Sequence, residues 1–255
     1  MEKPLFSIIT VCYNAASLLE GTILSVVRQT VHNFEYIIID GGSADGTLDI
    51  VDKFKDHVNT FISEKDHGIY DAMNKGLKVA KGEFVWFLNA GDQLYDNTIL
   101  EKMQELDLSD VDVVYGEVML VDDKRNHIGT RSEITVHHLP TQLQLSDMKR
   151  GMIVCHQAFV PRRDWCEPFI DDNLSADIDW VIKILAKKPR VLNSGLILAE
   201  YLMGGVSKQK WFKSLRDRWD ILRNHFGFSS ALVQHIIILF RAVFHRVFNT
   251  NKTHY

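Results

Sequence analysis

The chain has 255 residues, 46% of them hydrophobic and 24% charged, with a formal net charge of −4. That length supports one large domain, or one domain with an appendage, and the composition excludes disorder as a description of the whole. The weak negative charge argues against nucleic acid as a partner, because such surfaces carry a basic surplus.

Cys12, Cys155 and Cys166 show no C-x-x-C spacing, and Cys12 sits inside an apolar run, a pattern of a reducing compartment rather than a disulfide scaffold. The opening MEKPLFSIITVCYN lacks the basic, apolar and small-residue order of a signal peptide. No stretch of about 18 apolar residues is available to span a bilayer. The expectation is a cytoplasmic protein, or one resting on the cytosolic face of the inner membrane.

In chain order, Leu5–Cys12 and Glu35–Asp40 are short, β-branched and continuously apolar, as strands covered on both faces are. Between them Leu18, Leu19, Ile23, Val26 and Val27 fall near helical spacing within Ser17–Gln29. A helix over Gly46–Phe54, a strand at Thr60–Ser63, a helix over Ile69–Ala80 and a strand at Glu83–Leu88 continue the alternation. This rhythm predicts an α/β architecture, a mostly parallel central sheet flanked by helices. Past residue 100 the pattern predicts strands at Val111–Val121 and Ile153–Val160, a mixed helical and loop segment at Ile134–Asp147, and a helix over Asp177–Lys187 stopped by Pro189. From Val206 the chain reads as helical to its end, with a break at Gly227-Phe228-Ser229. Met203–Ser207 is the expected boundary between a domain of residues 1–205, divided near residue 100, and a C-terminal helical extension of residues 206–255.

Open parallel sheets collect ligands at the carboxyl ends of their strands. Four successive strand ends deliver polar loops there: Tyr13-Asn14, Asp40–Gly46, Glu64–Gly68, and Asn89–Asp92 at the exit of FVWFLNAGDQL. The loop DGGSADGT, residues 40–47, is neither G-x-G-x-x-G nor a G-K-[ST] phosphate loop. Its Asp45 is placed to cap the next helix, while an acid such as Asp40 suits a base edge or ribose hydroxyls. Taken alone, the loop is equally well read as a tight connection.

FSIITVCYNAASLLEGTILSVVRQT, YIIIDGGSADGT and DHGIYDAMNKGLKVAKGEFVWFLNAGDQL, in this order and spacing, resemble the nucleotide-binding half of family 2 glycosyltransferases, which have the GT-A fold. The resemblance is dense over residues 6–100 and reaches about 205 through weaker motifs. It implies inverting transfer of a sugar from a nucleotide-sugar, with UDP-sugar favoured, to an acceptor hydroxyl, assisted by Mg²⁺ or Mn²⁺. Asp92 matches the last acid of the metal motif, where a hard oxygen ligand suits such an ion. Many relatives have two adjacent acids there, and this chain has Gly91-Asp92, leaving the missing duty to Asn89, the backbone of Ala90 and Gly91, or water.

By the same resemblance Asp40 is the base-recognising acid, and Thr10, Val11, Tyr13 and Asn14, with Gly41 and Ser43, line the base and ribose pocket. Asp66 is the expected ribose or base contact, and Asn74 and Lys75 belong to the donor segment, though Lys75 also reads as an ordinary solvated lysine. His156-Gln157 resembles a pair found with a single-acid metal motif, and a lone His is equally a hydrogen-bonded core residue. The helix SADIDWVIKIL resembles the one carrying the general base, with Asp177 at the catalytic position. Asp179 competes, and since two positions along a helix face different ways, both acids are not expected to reach one hydroxyl. Asp217-Arg218-Trp219 lacks the Gln of Q-x-x-R-W, which argues for transfer of a single sugar per event.

In residues 230–249, Ile236, Leu239, Phe240, Val243, Phe244, Val247 and Phe248 form an apolar stripe, with His235, Arg241, His245, Arg246 and Lys252 nearby. Such a helix packs on its own domain or on a homodimer partner, or it rests on anionic lipid beside a lipid-linked saccharide acceptor. Two other functions remain open to the sequence. A nucleotidyltransferase would need a basic, Gly-rich N-terminal loop, and residues 7–20 hold neither Gly nor a basic residue. A non-catalytic nucleotide-sugar-binding module would bind donor without turnover.

Overall fold

The structure, a computed structural model, describes residues 3–204 and 211–237. The first half follows the expected alternation: β1 (Phe6–Cys12), α1 (Ala16–Val27), β2 (Phe34–Asp40), α2 (Thr47–Lys53), β3 (Thr60–Ser63), α3 (Ile69–Val79) and β4 (Phe84–Phe87). These strands form a four-stranded parallel sheet in the order β3-β2-β1-β4. Its register places Cys12 beside Asp40 and Asp40 beside Ser63, so the strand-end loops emerge along one edge. Continuous apolarity in β1 has the expected cause, cover on both faces. Phe6 and Ile8 join Tyr36, Trp86 and the buried face of α1 in one core, while Ile9 and Val11 join Ile37, Ile39 and Phe87 in the other.

The second half contains β5 (Gln93–Leu94), α4 (Ile99–Gln104), β6 (Val113–Val121), β7 (His127–Thr130), α5 (Arg131–Ile134), β8 (Phe159–Pro161), α6 (Ala176–Ala186) and β9 (Val191–Leu202). A mixed sheet runs β5-β9-β6-β7, with β8 also on β6 and only β6 and β9 mutually parallel. Strand β9 departs from the sequence reading, which placed no element there. Asn193-Ser194-Gly195 interrupts its apolar pattern, and the structure absorbs this interruption where the β6–β9 register shifts, Ser194 Oγ donating to Tyr115 O.

The strand expected over Ile153–Val160 shrinks to Phe159–Pro161, because His156–Ala158 form a 3₁₀ turn. The mixed segment expected at 134–147 is a loop bounded by α5 and by a 3₁₀ turn at Leu145–Arg150. As expected, α6 stops before Pro189, with Lys188 at φ +58°. The aromatic rings of Tyr70, Phe87, Phe159, Phe169 and Trp180 pack around α6, Phe169 stacked on Trp180 at 4.8 Å between centroids. Such pairs contribute about 0.5–1.5 kcal/mol each beyond their burial and here fix α6 against α3 and β4.

A C-terminal helix, α7 (Trp211–Phe226), packs on α6. Its Asp217 accepts from Leu174 N at 2.8 Å, and His225 Nε2 lies 2.6 Å from Asp179 Oδ1. The described part of the extension therefore covers the helix that carries the two candidate acids. Residues 228–237 are again helical, and Phe228, Leu232, Val233 and Ile236 are exposed along them. Most of the expected apolar stripe, from Leu239 onward, lies outside the described residues. Among those described, no helix is long and apolar enough to cross a membrane.

Candidate functional site

At the end of β2, the carboxylate of Asp40 organises its own loop. Its Oδ2 accepts from Gly42 N at 3.1 Å, Ser43 N at 3.0 Å and Ser63 Oγ at 2.7 Å, and Oδ1 accepts from Ser43 Oγ. Burial would push this carboxyl up, but the hydrogen bonds from Ser43, Ser63 and Gly42 outweigh it and hold it below the ordinary range. Asn14, at φ +47°, accepts from Ala44 N through Oδ1, and its own N–H donates to Ser43 Oγ at 2.7 Å. Asp45 accepts from Thr47 N and, across the loops, from Ala16 N, capping α2 and α1 together.

The Thr10 side chain is fully buried with its hydroxyl on Tyr36, and Val11 is a core residue, so at these two positions only backbone groups face the loop edge. Tyr13, 63% exposed, stands free at the sheet edge. Gly41 is where two loops meet, since a Cβ there would lie 2.3 Å from Asp66 Oδ2. The Asp66 carboxylate thus sits directly over the β2 loop, and only its Oδ1 is taken, by Gly68 N at 3.0 Å.

Asn74 and Lys75 both make contacts within the chain. The Asn74 amide pairs with both backbone groups of Phe169, at 2.9 and 2.7 Å. Lys75 Nζ lies 3.0 Å from Glu64 and 3.5 Å from Asp71 and donates to Lys65 O, fixing the β3 loop to α3.

At the exit of β4, Asp92 turns inward. It is 5% exposed; Oδ1 accepts from Leu202 N at 3.1 Å and Oδ2 from Gln157 Nε2 at 2.8 Å. Burial pushes its carboxyl up to about 6, against the opposing pull of those two donors, His156 and Arg125. Gly91, at φ +104°, has its N–H on Thr22 Oγ1 and its carbonyl on Arg125. Ala90 N donates to Val11 O, and Asn89 Oδ1 is buried without a partner.

Among the described residues no group of three or more His, Cys, Asp or Glu is placed to hold a metal. Each Asp92 oxygen accepts one hydrogen bond, which leaves a lone pair free on both, and Gly91 has no side chain to add, so the chain would offer an ion here a single carboxylate.

The turn bearing His156 and Gln157 is braced from three sides: Gln157 reaches Asp92, Trp86 Nε1 donates to Gln157 O at 2.8 Å, and the Cys155 thiol donates to Gln157 Oε1. His156 then stands between the halves, Nε2 3.1 Å from Asn89 Nδ2 and Nδ1 3.5 Å from Asp177 Oδ2. Asp177, its side chain 21% exposed, accepts from Ile178 N at 2.9 Å. Burial raises this carboxyl, but His156, the Ile178 amide and Arg218 overcome the burial and keep it below the usual range, hence ionised at neutral pH. Asp179 faces elsewhere, closed between His225 at 2.6 Å and Lys183 at 2.8 Å.

Two neighbours of Asp177 were not singled out from the sequence. Tyr70 donates to Leu174 O at 3.3 Å and stands beside Asp177. Arg218 on α7 turns its charge toward Asp177, with its buried Nε unpartnered. Tyr70 lies in the segment expected to meet the donor, and Arg218 is the Arg of the incomplete Arg-Trp element, so neither residue is marked in the sequence as a neighbour of Asp177.

The model of the family described as "Glycosyl transferase family 2" matches residues 7–168. The chain belongs to that family. A PGL/p-HBAD biosynthesis glycosyltransferase of Mycobacterium bovis is 38% identical over 125 residues, 47% of this chain and 49% of that one. The chain thus spans about half the length of the mycobacterial relatives it matches. A putative teichuronic acid biosynthesis glycosyltransferase, TuaG of Bacillus subtilis, is 29% identical over 230 residues, 87% and 88% of the two chains. Among solved structures, residues 1–349 of S. aureus TarS superpose with a TM-score of 0.66 at 20% identity over 87% of this chain and 66% of that one. A mannosyltransferase of Pyrobaculum calidifontis, solved with GDP-Man and Mn²⁺, gives 0.61 at 19% identity over 88% and 64%. At those identities the likeness carries the fold, GT-A, and the family 2 member described here has it.

Proposed function

We propose that this chain is an inverting glycosyltransferase that moves one sugar from a nucleotide-sugar, a UDP-sugar by preference, to an acceptor hydroxyl, with Asp177 as general base. The observation that carries this reading is the ionised, partly open Asp177 carboxylate, set against the loop edge of the parallel sheet. The acceptor oxygen bonds to the anomeric carbon as the bond from that carbon to the diphosphate breaks. The bonding pair leaves with the nucleoside diphosphate, and the acceptor's proton passes to Asp177. Attack from the face opposite the leaving group inverts the centre.

Asp66, over Gly41, and Tyr13 at the exposed edge are the groups free to meet the nucleoside, while Asp40, Asn14 and Ser43 shape the loop behind them. TarS, solved with UDP and with UDP-GlcNAc, supports the choice of UDP. The Mg²⁺ or Mn²⁺ expected from the sequence would be held by Asp92 together with the donor's diphosphate and water, and would supply charge neutralisation of the leaving nucleoside diphosphate.

TuaG, named for teichuronic acid biosynthesis, supports a place in surface polysaccharide assembly with a saccharide or lipid-linked saccharide as acceptor. The exposed Phe228, Leu232, Val233 and Ile236 suit peripheral contact with the cytosolic membrane face or a homodimer partner. A panel of nucleotide-sugars, with and without Mg²⁺ or Mn²⁺, tests the donor reading through thermal stabilisation. A UDP-sugar should raise the unfolding temperature more than the matching GDP-sugar or free sugar, and stabilisation by none of the panel overturns it.

A further inference from the structure

Asp177 needs more than proximity to serve as a base. A carboxylate on the first turn of a helix rotates about two bonds, and misplacement by about 1 Å is enough to cost roughly 10²-fold in rate. Ile178 N holds one oxygen, Oδ1. The other faces His156 Nδ1 at 3.5 Å, the long edge of hydrogen-bond reach, a separation of the kind that tightens once substrate is bound.

The far side of the imidazole is fixed as well. Asn89 presents its amide to Nε2 at 3.1 Å. With Nδ2–H donating, Nε2 accepts and the ring proton sits on Nδ1, facing Asp177. With the amide turned over, Oδ1 would accept from Nε2–H, and the ring could then face a carboxylate favourably only by carrying a proton on Nδ1 too. In both orientations Nδ1 donates toward the base. The platform beneath the ring does not give, because Trp86, Cys155 and Asp92 all bond to Gln157, the next residue. Asn89 ends the strand that leads to the donor side, and Asp177 opens the helix of the acceptor side.

We propose that His156 is the positioning residue of the general base, holding Asp177 through Nδ1 while Asn89, at the donor-side strand end, fixes the ring through Nε2. This rests on the reading of Asp177 as the base. It gives Asn89 a function that the absence of an acid at Gly91 does not explain, and it makes His156 neither a ligand of the donor nor a passive core residue.

Two amide replacements separate the two ring nitrogens. His156→Asn puts an N–H close to the place of Nδ1, and His156→Gln puts one close to the place of Nε2. In the full-length protein, with the nucleotide-sugar giving the largest thermal shift or, failing any shift, UDP-GlcNAc as donor, His156→Ala and His156→Gln should each lower kcat by about 10²-fold, with donor KM changed less than about 3-fold. His156→Asn should recover most of kcat. Equal losses for Asn and Gln, or a rise in KM at unchanged kcat, overturn the proposal in favour of bulk packing or donor contact.

A spectroscopic arm needs no substrate. With ¹⁵N-labelled histidine, His156 should show a protonated Nδ1 in the wild type and a shift of its proton toward Nε2 in Asp177→Ala. An unprotonated Nδ1 in the wild type overturns the proposal. Should Asp177→Asn keep full turnover, the base reading fails by itself, whereas the nitrogen spectra still report whether His156 is bound to Asp177.

Discussion

Along the ends of β1 and β2 and midway along α3, acids and amides turn back into the chain: Asp40 gathers four N–H and O–H donors, Asp45 accepts from the first amides of two helices, and Asn74 clamps Phe169. At the start of α6, Asp177 has one backbone donor and one imidazole and keeps part of its carboxylate open. Both regions hold carboxylates kept ionised, yet Asp40 and Asp45 have both oxygens engaged by the chain, whereas Asp177 keeps part of its carboxylate open. A depressed acidity therefore does not by itself mark reactivity, since structural and reactive acids both show it. What distinguishes them is the number of donors already engaged.

The largest effect should come from the reactive side. Asp177→Asn keeps shape and removes the proton acceptor, and kcat should fall by about 10²–10⁴-fold while donor affinity by titration calorimetry stays within about 2-fold. Near-normal turnover would erase the distinction between the two regions.

The structural side breaks differently. Asp40→Ala would leave the Gly42 and Ser43 amides and two hydroxyls without their shared acceptor, but Gly42 and Ser63 are exposed and Ser43 half-buried, so water can meet part of that loss. A loss of about 1–2 kcal/mol in urea unfolding is expected, with disorder of the β2 loop. An unaltered midpoint with lost binding would instead assign Asp40 to the ligand.

Much of the parallel half was legible because its signals are local. Strand periodicity, glycine loops and helix spacing are written within a few residues, and β1 to β4 fall close to their expected bounds. In the mixed half only β6 and α6 were legible near their observed bounds, because β5, α4 and β7 are too short to show a period and the polar interruption in β9 makes sense only against β6. The site divides in the same way. Asp177 and His156 stand out in the sequence as residues, but their contact joins positions 21 apart through two different elements. The inward turn of Asp92 depends on Leu202, 110 residues away, so it could not be anticipated from NAGD.

Asp92 offers a pH test of that turn. Its folded value of about 6 lies above the ordinary 3.8, so folding favours the protonated form. The stability it contributes is fully present below the unfolded value and is lost as pH rises through about 6. Asp92→Asn cannot ionise, and its stability relative to wild type should improve by up to about 3 kcal/mol between pH 4 and 7.5. Unfolding curves that stay parallel across that range would mean that Asp92 is solvated, as a metal ligand at an open strand end would be.

The smallest effect sharpens the comparison most, because it sets two acids of one helix against each other. Asp179 lies two positions from Asp177 on α6, and its side chain is 7% exposed, closed between Lys183 and His225. Its partners are 29% and 27% exposed, so they can turn to water once it is gone. Asp179→Asn should therefore cost only about 1–2 kcal/mol, read as a lower urea midpoint, by loosening α7 from α6. The rate should hold, because the carboxylate is turned away from the loop edge where donor and acceptor meet. If Asp179→Asn lost turnover while Asp177→Asn did not, the roles of the two acids would be exchanged, and the His156 contact would be structural like those of Asp40.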